Sequence, residues 1–263
     1  MPHLTLRDGD PLYYEVQGDG PPLALVSGLG GALSFWKPQV AALARHFRLV
    51  LHDHRGTGQS SKRPIEFSVE QMADDLLQLL DHLKIARAHI AGHSTGGAIG
   101  QTIALDRPER LDRLVLSATW TAADEYFRRL FDLRAGMLRL EGPLAYAQGT
   151  SLFGLPAAFL RDHAEVLASE EAASAASMVP ELVLGRIAAI QRFDRSRDLA
   201  RIKARTLVFG ARDDLITPAY FSEALARAIP DATLVMLPEG GHFYPRVYPA
   251  EFQRVVTDFL TKP

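Results

Sequence analysis

Apolar residues along this chain fall into two patterns that take turns. Short runs, apolar nearly throughout, appear at Leu23-Ala24-Leu25-Val26, Arg48 to His52, Ala88 to Ala91, Leu111 to Ser117, Arg205 to Gly210 and Thr233 to Leu237. Runs of this kind suit strands covered on both faces, as in a parallel sheet. Between them the apolar positions return every three or four residues. Val69, Met72, Ala73, Leu76, Leu77, Leu80 and Leu83 are the clearest case, and Gln39 to Arg45, Ala98 to Asp106 and Pro249 to Leu260 read as further helices. Leu4 to Leu6 and Leu12 to Val16 flank Asp8-Gly9-Asp10 and read as an opening hairpin. Strands alternating with helices predict an α/β domain, a mostly parallel sheet wound on both faces.

That rhythm stops between Thr121 and about Arg197. Helix formers dominate Glu125 to Leu140, Pro156 to Leu167 and Glu181 to Phe193, and no strand-like run separates them. The expected organisation is a core formed by residues 1–120 and 198–263, with a helical cap of residues 121–197 over the carboxyl edge of the sheet. Some of the cap aromatics, which include Trp120, Tyr126, Phe127, Phe153 and Phe159, are expected to line a pocket beneath it.

Composition narrows the partners. The 263 residues carry 47% hydrophobic and 23% charged side chains and a net charge of -2. Nucleic acid and anionic membrane both demand concentrated positive charge, so neither is expected. Without cysteine the chain has no disulfide, thiolate nucleophile or thiolate metal site, which fits a reducing compartment. Met1-Pro2-His3-Leu4 has no basic region followed by an apolar stretch, and no apolar run nears the ~20 residues of a membrane span. The expectation is an unexported cytoplasmic protein acting on a small molecule. Its oligomeric state is not legible.

The chemistry centres on Gly92-His93-Ser94-Thr95-Gly96-Gly97, which joins the strand at Ala88 directly to the helix at Ala98. A G-x-S-x-G turn at such a junction is what a nucleophile elbow requires: the serine backbone is strained, and a side chain two residues to either side would collide with the flanking elements. The hydroxyl of Ser94 is then thrown into the open beside the amino terminus of a helix, with its unpaired N–H groups. Acyl transfer by serine also needs a base and an acid to orient that base. His242, after two glycines and the last strand, is the candidate base. Asp213 and Asp214 follow the preceding strand. Either can cap the helix that begins near Thr217 while the other orients His242, and Asp213, three residues after Gly210, is assigned the orienting place. His93 is expected to pack or hydrogen-bond, because a residue inside the elbow points away from its neighbour's hydroxyl.

Five segments, in order and spacing, resemble the α/β-hydrolase fold superfamily across essentially the whole chain. They are Ser27-Gly28-Leu29-Gly30-Gly31, Asp53 to Ser60, Gly92 to Gly97, Gly210-Ala211-Arg212-Asp213 and Gly240-Gly241-His242. Within it the chain looks most like the aminoacrylate hydrolases of pyrimidine breakdown, through Ser27 to Gly31, Ser151-Leu152-Phe153 and Asp213-Asp214-Leu215, and it is similar to the 3-oxoadipate enol-lactonases. Ser27 stands where many members carry histidine. The resemblance implies catalytic Ser94, Asp213 and His242, an oxyanion hole of the Leu29 and Thr95 backbone N–H groups, an acyl-enzyme, and no metal or organic cofactor. Arg55 is expected to brace its loop by ion pairing. Such a site implies hydrolysis of an ester, lactone, amide or carbamate-like bond. Carbon–carbon bond hydrolysis, cofactor-free oxygen chemistry and a non-catalytic ligand receptor are the other readings of the same scaffold.

Overall fold

A computed structural model of the chain describes residues 2–262. Met1, at the head of the stretch read as lacking a leader, and Pro263 lie outside the described residues. The strands are β1 (His3–Thr5), β2 (Pro11–Gln17), β3 (Pro22–Val26), β4 (Arg48–His52), β5 (Ala88–His93), β6 (Leu111–Ser117), β7 (Arg205–Ala211) and β8 (Thr233–Leu237). They form one sheet in the order β1-β2-β4-β3-β5-β6-β7-β8. The opening hairpin is antiparallel, β2 joins β4 antiparallel, and every later pairing is parallel.

The continuous apolar runs are explained by two cores, one on each face. Ala24, Val26, Val50, Ile90, Leu114, Leu116 and Val208 enter the first core, which includes the apolar stripes of α2 (Val69–His82) and α3 (Thr95–Asp106). Leu23, Leu25, Leu49, Leu51, Ala91, Val115, Leu207 and Phe209 point the other way, toward α1 (Lys37–Leu43) and α11 (Pro249–Thr261). Alternate side chains of each strand thus leave water on opposite faces, so apolar residues occupy successive positions in the middle of each strand. The edge strand β8 is different. Its burial runs from exposed to intermediate, because one side of it has no neighbour.

Between β6 and β7 the chain forms five helices: α4 (Glu125–Leu140), α5 (Gly142–Gly154), α6 (Ala157–Asp162), α7 (Ala164–Ser177) and α8 (Pro180–Arg192). Helix α4 packs on α5 and α8, and α5 packs on α7. Sequence periodicity misses α5, whose Gly142, Pro143, Gly149 and Gly154 argue locally against a helix. Packing prevails over propensity there: a Cβ on Gly154 would strike the ring of Phe243, and one on Gly149 would crowd Met137. The stretch Ser169 to Ser177 is helix surface within α7. The remaining helices are α9 (Ala219–Ala228) and the short α10 (Tyr244–Val247). Among the described residues no single helix is long and apolar enough to cross a membrane.

Candidate active site

Ser94 sits between β5 and α3 with φ 54° and ψ -117°, a conformation an L residue rarely adopts. Its surroundings hold it there. A Cβ on Gly92 would overlap the Gly96 carbonyl, and a Cβ on Gly96 would overlap the Val26 carbonyl of β3, so the second glycine answers to the neighbouring strand rather than to the elbow's own. The Ser94 N–H donates to Ser117 O at 2.8 Å, and the Thr119 hydroxyl donates to Ser94 O at 2.8 Å. The serine and His242 line a common cavity of about 220 Å³ with the loop Ser27 to Ala32. That loop is closed on itself: Ser27 Oγ donates to Ala32 O at 2.8 Å and Gly31 N to Gly28 O at 2.9 Å. Ser27 therefore keeps the backbone turn where many relatives of the fold place histidine.

The two neighbouring aspartates divide the work differently from the sequence expectation. Asp214, not Asp213, touches the imidazole: its Oδ2 lies 2.8 Å from His242 Nδ1, and both side chains are buried. The same carboxylate accepts from Ile216 N at 2.7 Å, Thr217 N at 2.9 Å and Thr217 Oγ1 at 2.8 Å. One residue thus both closes the loop after β7 and orients the histidine. Asp213 is exposed and accepts from the Gly240 and Gly241 N–H groups at 3.1 and 2.9 Å, fixing the two-glycine turn ahead of His242. The reason lies in strand length. Strand β7 runs one residue beyond Gly210, and Arg212 N still pairs with Leu237 O of β8, so the inward-facing place falls one position later.

His93 is neutral and its tautomer is fixed. The Tyr244 hydroxyl donates to Phe209 O at 2.8 Å, so Ser117 Oγ must donate to Tyr244 at 2.6 Å, and His93 Nδ1–H donates to Ser117 at 3.0 Å. Burial, with His242 4.8 Å away between ring centroids, holds the His93 imidazole well below its usual protonation range. It stacks on Phe35, in keeping with a packing role. Arg55 braces its loop as expected, through Asp75, Asp10 and Asp8.

The expectation that some cap aromatics line the pocket is met by Phe131 of α4 and Tyr146 of α5, and not by the five named ones. Trp120 and Phe127 are buried in the core, Tyr126 is exposed and donates to Leu215 O, and Phe159 stacks on His163. Phe153 packs against the first core. None of the five lines either cavity; Phe35 and Phe243 of the core join Phe131 and Tyr146 of the cap there. A second cavity of about 680 Å³ continues under the cap and shares Leu29, Arg134, Thr150 and Phe243 with the first. Two residues that sequence reading missed, Arg134 and Arg186, stand on it. A signal was present: Arg134 lies in phase with Phe127, Leu130, Phe131 and Leu138, and Arg186 with Leu182, Val183, Ile187 and Ile190, so both occupy core positions of amphipathic helices. Among the described residues no cluster of three or more His, Asp or Glu is placed to hold a metal ion.

A sequence model for the alpha/beta hydrolase fold matches residues 21–244. The chain belongs to the α/β-hydrolase family. Relatives of this hydrolase include two proteins provisionally named carbamate hydrolase RutD. The one from Azorhizobium caulinodans is 38% identical over 260 residues, covering 98% of each chain. The one from Pseudomonas savastanoi pv. phaseolicola is 42% identical over 244 residues, covering 92% of this chain and 94% of that one. Among solved structures the enol-lactonase of Burkholderia xenovorans is 31% identical, covers 99% of this chain and 100% of its own, and superposes with a TM-score of 0.92. A hydrolase from Pseudomonas aeruginosa is 34% identical with a TM-score of 0.91, covering 99% and 98%.

Proposed function

We propose that this chain is a serine hydrolase that cleaves a carbamate, ester, lactone or amide bond of a small molecule through an acyl-enzyme. The observation that carries the reading is the buried contact of Asp214 with His242 Nδ1, made by a histidine that shares its cavity with the strained Ser94. Names borne by the relatives, carbamate hydrolase and enol-lactonase, point to the same bond class.

With Nδ1–H directed at Asp214, His242 Nε2 is the basic nitrogen. Ser94 Oγ attacks the substrate carbonyl carbon as its proton passes to Nε2, and the carbonyl π electrons move onto oxygen. Thr95 is the first residue of α3, so its N–H has no partner within the helix. It forms the oxyanion hole together with the Leu29 N–H of the glycine-rich loop, and two such donors stabilise the charge that develops on oxygen. Collapse expels the leaving group, which takes the proton from Nε2. Water then donates its proton to Nε2, attacks the acyl carbon and releases the acid, and Ser94 Oγ recovers its proton. Asp214 keeps the imidazole in the required tautomer and stabilises its charged form; Asp213 positions the turn.

Treatment with a fluorophosphonate should phosphonylate Ser94, read by peptide mass spectrometry, and abolish turnover of p-nitrophenyl esters. Full turnover by Ser94→Ala would overturn the reading.

A further inference from the structure

Of the four arginines buried among the described residues, Arg55 and Arg110 are answered by carboxylates. Two are not. Arg134 of α4 and Arg186 of α8 are 4% and 3% exposed, and among the described residues neither forms an ion pair. Their partners are neutral. Arg134 Nη2 donates to Thr150 Oγ1 at 2.9 Å and Tyr146 Oη at 3.2 Å, and its guanidinium lies over the rings of Phe131 and Tyr146. Arg186 Nη1 donates to Thr57 Oγ1. The Nε of each has no hydrogen-bond partner. Burial pulls the Arg186 guanidinium down to about 10, so at neutral pH it still carries its charge in a place where water compensates little.

Both side chains line the larger cavity, with Tyr146 beside them, and Arg134 also lines the chamber that holds Ser94. Two acidic groups also line that larger cavity, and neither pairs with these arginines: Glu170 pairs with Arg246 at 2.7 Å, and Glu171 is half-buried on α7. An uncompensated buried charge costs several kcal/mol unless an opposite charge arrives. The planar fork of a guanidinium matches the two oxygens of a carboxylate.

We infer that Arg134 and Arg186 form an anion subsite that selects substrates carrying a carboxylate remote from the scissile carbonyl. The inference rests on the hydrolase reading for its turnover but not for its binding. Arg186 also holds Thr57, whose hydroxyl donates to Gly30 O at 2.9 Å, so the subsite adjoins the loop proposed to supply the oxyanion donor.

The test compares p-nitrophenyl pentanoate with the p-nitrophenyl monoester of glutaric acid, nearly isosteric acyl groups that end in methyl and in carboxylate, with the hemisuccinate and hemiadipate as length controls. A charge-assisted hydrogen bond corresponds to ~10- to 100-fold. The natural protein should therefore favour at least one hemiester by that factor in kcat/KM, mainly through KM. Arg134→Met and Arg186→Met should each lower the hemiester-to-pentanoate ratio ~10-fold or more, and Arg134→Lys should restore part of it. No hemiester preference in the natural protein, or an unchanged ratio in both Met variants, would overturn the inference. If the Met variants do not fold, calorimetric titration of Ser94→Ala with succinate, glutarate and adipate decides: saturable binding to at least one supports the subsite, and binding to none refutes it. Absent phosphonate labelling with intact dicarboxylate binding would instead refute the hydrolase reading alone.

Discussion

Arg55, in the loop after β4, and Arg186, in the helical segment above the sheet, are almost equally buried at 6% and 3% exposure, yet their surroundings are opposite. Arg55 meets Asp75 through two parallel hydrogen bonds of 2.9 and 2.7 Å and is also paired with Asp10 and Asp8. Arg186 meets a threonine. The first arrangement is closed: charge is balanced within the protein, and the ion pairs lock the Asp53 to Ser60 loop against the turn between β1 and β2 and against α2. The second is open, because the balancing charge is not supplied by the chain. Burial of a charge is thus no guide to its purpose until its partners are counted.

The same contrast separates Arg55, answered within the protein, from Arg134 and Arg186 above the sheet, which the proposed subsite leaves for a ligand. The sharpest way to break it is at the reaction centre. Ser94→Ala and His242→Ala should each remove nearly all hydrolysis, ~10⁵-fold or more, with little change in thermal midpoint, since they act as one unit; single-turnover kinetics and calorimetry check both halves. Asp214→Asn should follow at ~10⁴-fold, by analogy with other triads in which the carboxylate loses its charge. Asp213→Asn should cost far less in kcat, since Asp213 does not touch the imidazole and the amide oxygen still accepts from one of the Gly240 and Gly241 N–H groups, which donate to separate carboxylate oxygens. The reverse ranking would return the orienting role to Asp213.

Stability sharpens the comparison next. Arg55→Met leaves buried Asp75 without its cation, while Asp10 keeps Arg63, and should destabilise by ~3–5 kcal/mol in urea denaturation. Arg186→Met strands no carboxylate and should change stability by about 1 kcal/mol or less. Equal losses would mean that the open arginine is structural after all.

The last effect concerns pH. Burial alone depresses the His52 imidazole from 6.5 to about 4. The unfolded chain takes up that proton near pH 6.5 while the folded chain resists until about pH 4, so the contribution is complete above 6.5 and is lost as the pH falls toward 4. Replacing His52 by Gln should make the acid limb of the stability profile shallower by up to ~1.4 kcal/mol per pH unit between those values. A limb of unchanged slope would show that His52 does not titrate there.

Local pattern determined much of this protein. The apolar runs of β3 to β7 follow from strands covered on two faces, the stripe of α2 from one buried side, and the elbow from glycines whose absent side chains admit the carbonyls of Gly96 and Val26. The order of serine, aspartate and histidine along the chain was equally legible, because each follows the end of a strand in the same sheet. What depended on contact between distant residues was not. Asp213 and Asp214 are indistinguishable as letters; only the extra residue of β7 and the turn after β8, 28 positions away, decide which one faces His242. Helix α5 forms because Gly149 and Gly154 give room to Met137 and Phe243, a gain that propensity cannot register. Periodicity placed Arg134 and Arg186 on buried faces, but only the assembled cavity revealed that no carboxylate comes to meet them, since charge compensation is settled through space rather than along the chain.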